Sequence, residues 1–316
     1  MNENKIIVSI ICLAYNHEQY IRQCIEGFIT QKTNFAFEVI IHDDASTDNT
    51  AVIIKEYEEK FPHIIKPIYQ KENQYSKGIK IGKTYLYPKA QGKYIAECEG
   101  DDYWIDPYKL QKQVDILENN PNYGLCYTSA KVYNQKKECF SNILSLEYQN
   151  FEALLIHNPI TTLTVLYRKS FLESYYININ PENKGWLMGD YPLWLWIASQ
   201  SHIYFIKDIT AVYRHLENSA SHHTNPQKQE RFNASIRDVR IFFQKLILPN
   251  KDLEDKFNDD FYRRNALFGI THNNRNYCFS NIKHVKNKNW KDKLKQILCF
   301  NKLSFSILRF IILKKI

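Results

Sequence analysis

The stretch "YIAECEGDDYWIDPYKL", Tyr94 to Leu110, decides the fold. It opens on a short apolar run, the pattern of a buried strand. Three carboxylates follow within four positions, Glu99, Asp101 and Asp102, and Pro107 then begins a helix at its first turn. Like charges repel, so such a cluster at the end of a buried strand implies that something positive is expected there. A hard divalent cation takes oxygen donors, and Mg2+ typically uses one or two carboxylates together with substrate phosphates. Asp106, directly before Pro107, suits capping of the helix instead.

The same alternation continues on both sides. "IIVSIICLAY" (6–15) reads as a strand buried on both faces, and Asn16 with Gln19 reads as a capping box for a helix reaching about Thr30. "FEVIIHDD" (37–44) is a second strand ending on a second acidic pair, Asp43 and Asp44. "STDNTAVIIKEYEEKF" (46–61) is a helix stopped by Pro62; "IIKPIYQ" (64–70) and "YGLCYTSA" (123–130) are further strands. Residues 76–91 hold a short helix or loop. Strands alternating with helices predict right-handed βαβ units and a mostly parallel sheet, an α/β fold of Rossmann-like type. Such sheets bind ligands outside the carboxyl ends of their strands, where both acidic clusters fall. Further on, "ITTLTVLYRKSFL" (160–172) predicts a strand entering a helix, "GDYPLWLWIASQ" (189–200) a largely buried helix and "IYFIKDITAVYRH" (203–215) a strand. Residues 226–247 and 251–278 read as helical.

Composition narrows the function classes. With 316 residues and 44% hydrophobic side chains, the chain can bury the core of one large domain, or of a domain with an extension. Seven cysteines, Cys12, Cys24, Cys98, Cys126, Cys139, Cys278 and Cys299, are odd in number and lack C-x-x-C spacing. They read as reduced thiols of a cytoplasmic protein, not as a disulfide framework or a zinc site. "MNENKIIVSII" lacks the basic and apolar regions of a signal peptide, and no window offers an uninterrupted apolar span. The formal charge of +8 is concentrated at one end. Residues 281–316 hold nine lysines and Arg309 against one acid, Asp292, which leaves the body nearly neutral. That argues against a nucleic-acid groove in the body. The interrupted apolar run "WKDKLKQILCFNKLSFSILRFIILKKI" (290–316) suits a peripheral helix at an anionic membrane surface, or one packed on the body with a solvated basic face.

Four motifs, "VSIICLAYN", "EVIIHDDASTDNT", "GKYIAECEGDDYWIDPYKLQKQV" and "GDYPLWLWIA", occur in the order and spacing of family 2 glycosyltransferases with the GT-A fold. The chain resembles that family over about residues 5–222. The resemblance implies a GT-A domain over 1–222, a helical C-terminal extension over 223–316 and an inverting transferase using Mg2+ or Mn2+. The donor would be a nucleoside-diphosphate sugar and the acceptor a hydroxyl of a glycan or lipid-linked saccharide, with bacterial surface polysaccharide synthesis as the setting.

Residue by residue, the resemblance puts Ala14 and Tyr15 beside the nucleotide base and makes Asp44, or its neighbour Asp43, the acid that hydrogen-bonds the nucleoside. Glu99 stands where the family usually has Asp; being longer, it suits the ribose or donor sugar. Asp101 is then the metal ligand, and Asp102 contacts the sugar or stands behind the metal ligand. Asp190 corresponds to the general base that takes the acceptor proton, with Gly189 where Glu is usual; it is also placed to cap its helix. Arg214 suits a phosphate clamp. The His expected two positions later is replaced by Leu216, so His222 is the preferred metal or diphosphate contact. Among the tryptophans near Asp190, Trp194 and Trp196 have helical core spacing, and Trp186 is the better platform for an acceptor sugar. Lys77, Lys80 and Lys83 suit either the diphosphate or a solvated basic face. Two rivals remain: a glycan-binding scaffold that has lost catalysis, and a sugar nucleotidylyltransferase, whose Gly-rich opening loop is absent here.

Overall fold

The computed structural model describes residues 5–216 and 224–314. They group into two compact units. The first gathers Met1–Leu154, Asn158–Glu182 and Leu193–Leu216; the second gathers Leu155–His157, Asn183–Pro192 and Glu217–Ile316.

The first unit is the α/β layer. Its strands are β1 (Ile6–Ala14), β2 (Ala36–Asp43), β3 (Ile65–Tyr69), β4 (Tyr94–Glu97), β5 (Tyr103–Trp104), β6 (Tyr123–Asn134), β7 (Cys139–Leu144), β8 (Leu166–Arg168) and β9 (His202–His215). Among its helices are α1 (Ile21–Ile29), α2 (Thr50–Lys60), α3 (Lys109–Asn119) and α5 (Lys169–Asn178), while α4 (Phe151–Ile156) and α6 (Asp190–Gln200) are each divided between the two units. The sheet order is β3-β2-β1-β4-β8-β6-β9-β5, with β7 paired to β6. The pairs β1–β2, β2–β3, β1–β4 and β6–β9 are parallel, whereas β8 runs antiparallel between β4 and β6. The α/β class and the parallel frame expected from the sequence are those of the structure.

Periodicity explains the core. Val8, Ile10 and Cys12 alternate along β1 and meet Ile21, Cys24, Ile25 and Phe28, which recur at helical spacing on α1. Each valine, isoleucine or phenylalanine of this set, fully buried, contributes about 1.5–3 kcal/mol relative to exposure. One start signal misleads. Asn16 does not cap α1. Its φ is 55° and its side-chain oxygen accepts the Thr47 amide at 2.8 Å, so the helix begins only at Ile21, where its apolar face begins. The hairpin strand β7 was not expected, because all six of its residues are exposed and carry no burial pattern.

The second unit is helical: α7 (Pro226–Ile247), α8 (Glu254–Thr271), α9 (Arg275–Ile282), α10 (Trp290–Leu298) and α11 (Lys302–Leu313). The stretch read as one helix over 251–278 divides at Asn273, whose φ of 56° is left-handed, and Asn274 then caps α9. The core here is formed by Ala266, Ile270, Cys278, Ile282, Val285, Cys299, Phe305 and Leu308.

Candidate functional site

Both acidic clusters lie at the carboxyl ends of strands in the first unit. β1 is flanked by β2 and β4, so Ala14, Asp43 and the turn after Glu97 lie on one rim. Ala14 is buried and its carbonyl accepts the Asp44 amide at 3.0 Å; Tyr15 is exposed.

The loops after β1 and β2 are tied to each other. The Asn16 amide donates to Ser46 Oγ at 2.9 Å, the His17 amide to Thr50 Oγ1 at 2.7 Å and the Glu18 amide to Asp48 Oδ2 at 3.0 Å. Glu18 Oε2 accepts the Asn49 amide at 3.0 Å in return. The polar run "STDNT" therefore serves local turn chemistry.

Asp43 and Asp44, adjacent in sequence, differ in role. Asp44 is buried, and its carboxylate accepts the amides of Gln74 at 2.7 Å and Tyr75 at 3.0 Å, which pins the loop after β3. Asp43 is equally buried; its Oδ2 accepts the Ser46 amide at 3.3 Å, and its Oδ1 meets no donor.

At the end of β4, the Gly100 amide donates to Leu13 O at 2.8 Å, anchoring the turn to β1. Asp101 Oδ1 is buried and meets no donor. Asp102 is buried, and its Oδ1 accepts the Arg214 amide at 2.7 Å. Burial, reinforced by the charge of Asp101, pushes the Asp102 carboxyl well above the usual carboxylate range. The Glu99 carbonyl accepts the Asp102 amide at 3.0 Å. Arg214, the penultimate residue of β9, has its guanidinium over the rings of Tyr20 (5.0 Å) and Tyr103 (4.6 Å), hydrogen-bonded to Gln23 and, at 3.4 Å, to Gln135; its buried Nε has no partner. The Arg214 cation is thus held by aromatic faces and side-chain amides. Lys77 and Lys83 pair with Glu72 and Glu182 on the surface.

Sequence reasoning missed three groups. His17 lies against the Gly100 turn, its Nδ1 only 2.8 Å from where a Cβ at position 100 would stand, and that buried nitrogen has no partner. Burial lowers its pKa, against the pull of Asp101, Asp48 and Asp43. The signal was the His directly after "AYN". Glu97 accepts the hydroxyls of Tyr167 at 2.5 Å and Tyr87 at 3.2 Å. Lys109, in the helix after the acids, is fully buried, 4.2 Å over the Trp104 ring and bonded to Gln113 Oε1 at 2.8 Å.

Two further residues lie in the second unit. Asp190 is the first residue of α6, and its Oδ1 accepts the Tyr191 amide at 2.7 Å. Trp186 corrects an expectation. It is 6% exposed, with its ring against Phe242 (5.3 Å between centroids) and Phe243 (6.1 Å), so it is a core side chain and not an open sugar platform. His222 lies outside the described residues.

Among the described residues no group of three or more His, Cys, Asp and Glu is arranged to enclose a metal ion. The residues fit a different kind of site. Two buried carboxylate oxygens without donors, one on Asp101 and one on Asp43, suit a cation held by few protein oxygens and completed by the phosphates of a ligand.

Comparison with known proteins identifies the family. The sequence profile of the family described as "Glycosyl transferase family 2" matches residues 9–176. An uncharacterized protein of Mycobacterium tuberculosis is 40% identical over 165 residues, 51% of this chain and 47% of that one, so the chain spans about half the length of that relative. A UDP-Glc:alpha-D-GlcNAc-diphosphoundecaprenol beta-1,3-glucosyltransferase of Escherichia coli is 30% identical over 196 residues, 61% of this chain and 71% of that one. Among solved structures, Staphylococcus aureus TarS in complex with UDP-GlcNAc superposes with a TM-score of 0.57 at 16% identity, covering 89% of this chain and 90% of that one. A Pyrobaculum calidifontis mannosyltransferase with GDP-Man and Mn2+ gives 0.54 at 12% identity, covering 96% and 86%. At such identities the structures speak for the fold alone.

Proposed function

The chain belongs to glycosyl transferase family 2, and from that premise we propose that it moves a sugar, with inversion, from a nucleoside diphosphate to a hydroxyl of a lipid-linked glycan. The observation that carries this reading is the pair of donor-less buried oxygens on Asp43 and Asp101, on the rim where an α/β sheet receives its ligands. The E. coli relative's acceptor is a diphosphoundecaprenol-linked sugar, which supports a lipid-linked acceptor and a role in polysaccharide synthesis. The same relative's donor is UDP-Glc, which supports a nucleotide-sugar donor.

In this reading Ala14, Tyr15 and Asp44 line the nucleoside pocket, Asp44 keeping lone pairs beside those used by Gln74 and Tyr75. Glu99 and Asp102 face the ribose and donor sugar, and Arg214 offers its unpartnered Nε to the diphosphate. Asp101 would hold Mg2+ or Mn2+, with Asp43 its nearest chemical equivalent, and the cation when bound supplies Lewis-acid neutralisation of the departing diphosphate. Asp190 takes the proton of the acceptor hydroxyl. The acceptor oxygen bonds to the anomeric carbon from the face opposite the diphosphate, and the carbon–phosphate-oxygen bond breaks. We place the work on the cytoplasmic side of a membrane, where the free cysteines stay reduced and where the basic stretch 290–316 suits an anionic surface.

Calorimetric titration with UDP, GDP, dTDP and CDP, each with and without Mn2+, tests the reading. One nucleotide should bind with the metal, and Asp101→Ala should weaken it by at least about tenfold, since an opposed charge contact is lost. Asp190→Asn should retain that binding and lose turnover by roughly 10²–10⁴, the usual share of a general base. If no nucleotide binds in any condition, the transferase reading falls and the scaffold reading replaces it.

A further inference from the structure

Helix α11 has two apolar faces. Phe305 and Leu308 turn inward and pack with Ala266, Ile270, Cys278 and Ile282. Leu303, Ile307 and Phe310, at spacings of four and three, turn outward and are exposed, Leu303 by 75%. A helix apolar on both faces belongs between two apolar partners, and among the described residues only the inner partner is present. Helix α10 repeats the pattern. Trp290, Leu294 and Ile297 recur at the same spacings and are exposed, Trp290 by 69%, while Asp292 is buried as the capping partner of Asn289. Single exposed hydrophobes are ordinary, but successive rows on adjacent helices are not.

The charge around these rows selects the occupant. Lys291, Lys293 and Lys302 are exposed on the same two helices, Lys314 is exposed directly after α11, and the one acid of the stretch is buried. A second copy of the chain would bring the same cations against them. No helix of the described residues is long and apolar enough to cross a membrane. Apolar rows with a lysine fringe fit the interface of an anionic bilayer, where the rows enter the headgroup boundary and the lysines meet lipid phosphates. We infer that the outward faces of α10 and α11 form a docking surface for an anionic lipid bilayer. This deepens the reading above by naming the surface that brings the chain to a lipid-linked acceptor.

The test is co-sedimentation of the full chain with vesicles, scored without turnover so that it can fail separately from the catalytic reading. The vesicles are either pure phosphatidylcholine or phosphatidylcholine with about 30% phosphatidylglycerol, an anionic lipid. The chain should sediment with the anionic vesicles at least about tenfold more strongly than with the neutral ones, and less so as salt is raised. The double variant Lys291→Glu, Lys293→Glu and the triple variant Leu303→Ser, Ile307→Ser, Phe310→Ser should each lose most of that binding. All five positions are exposed, so circular dichroism should report intact folding. Asp190→Asn should bind vesicles as the wild type does. Equal binding to both vesicle types, no binding to either, or binding unchanged by both surface variants overturns the inference. Self-association that the triple variant abolishes, without vesicle binding, also overturns it and assigns the face to a second copy.

Discussion

Lys109 carries a measurable signature of its environment. Burial lowers its pKa to about 7, against an unfolded value of roughly 10.4. Between these values the unfolded chain holds a proton that the folded chain has released. Unfolding free energy should therefore rise with pH across that window, by up to about 1.4 kcal/mol per unit. Lys109→Met keeps the length and removes the titration, so denaturant melts from pH 7 to 10 should show a flatter pH dependence in the variant; identical slopes would place the ammonium in water. At this scale sequence legibility was uneven. The rim position of Asp43, Asp44, Asp101 and Asp102 was readable because an acid that ends an apolar run falls at the carboxyl end of its strand. That Asp44 holds the amides of Gln74 and Tyr75, or that Arg214 lies over Tyr20 and Tyr103, was not, because those partners are distant in sequence. Lys109 gave no signal at all: a lysine in an amphipathic helix reads as solvated, and only the Trp104 ring and Gln113 make its burial tolerable.

Helix α1 approaches β5 closely enough that its glycine is structural. A Cβ on Gly27 would stand 2.9 Å from both the backbone nitrogen and the oxygen of Trp104, atoms that cannot swing away. Gly27→Ala should gain about 1 kcal/mol of helix propensity and lose about 1–3 kcal/mol to overpacking, a net lowering of Tm by a few degrees in scanning calorimetry. Gly189→Ala, whose Cβ would meet nothing within 4 Å, is the control and should leave Tm unchanged. A Gly27 variant as stable as wild type would mean that α1 slides freely on the strand. Long elements such as β1, β9 and α7 were legible because their apolar periodicity spans several repeats. The start of α1 was not, because Asn16 imitates a cap while its side chain is engaged by Thr47 across the loop. β7 was not, because a wholly exposed strand is specified by its neighbour β6 rather than by burial.

Across the whole chain the cysteines offer a test of packing in both units. Six are buried and Cys139 is exposed. Burial also pushes Cys98 up to about 11 and Cys126 up to about 12, which keeps both as unreactive thiols at neutral pH. An aromatic disulfide reagent should therefore modify one thiol rapidly in the native protein and all seven in denaturant. Cys139→Ser should remove the rapid phase; a second rapid thiol in that variant would contradict the burial of the other six.

The short strand β8 also governs how the chain can be made. On a ribosome β4 emerges well before Leu166–Arg168, yet its edge away from β1 pairs with that segment, and β6 reaches β4 only through it. While residues 98–165 are being synthesised, the nascent first half carries an open strand edge, the feature most prone to pairing with a foreign chain. The sheet closes late in synthesis, and the interval before it closes is when a chaperone holding that edge would have most effect on yield.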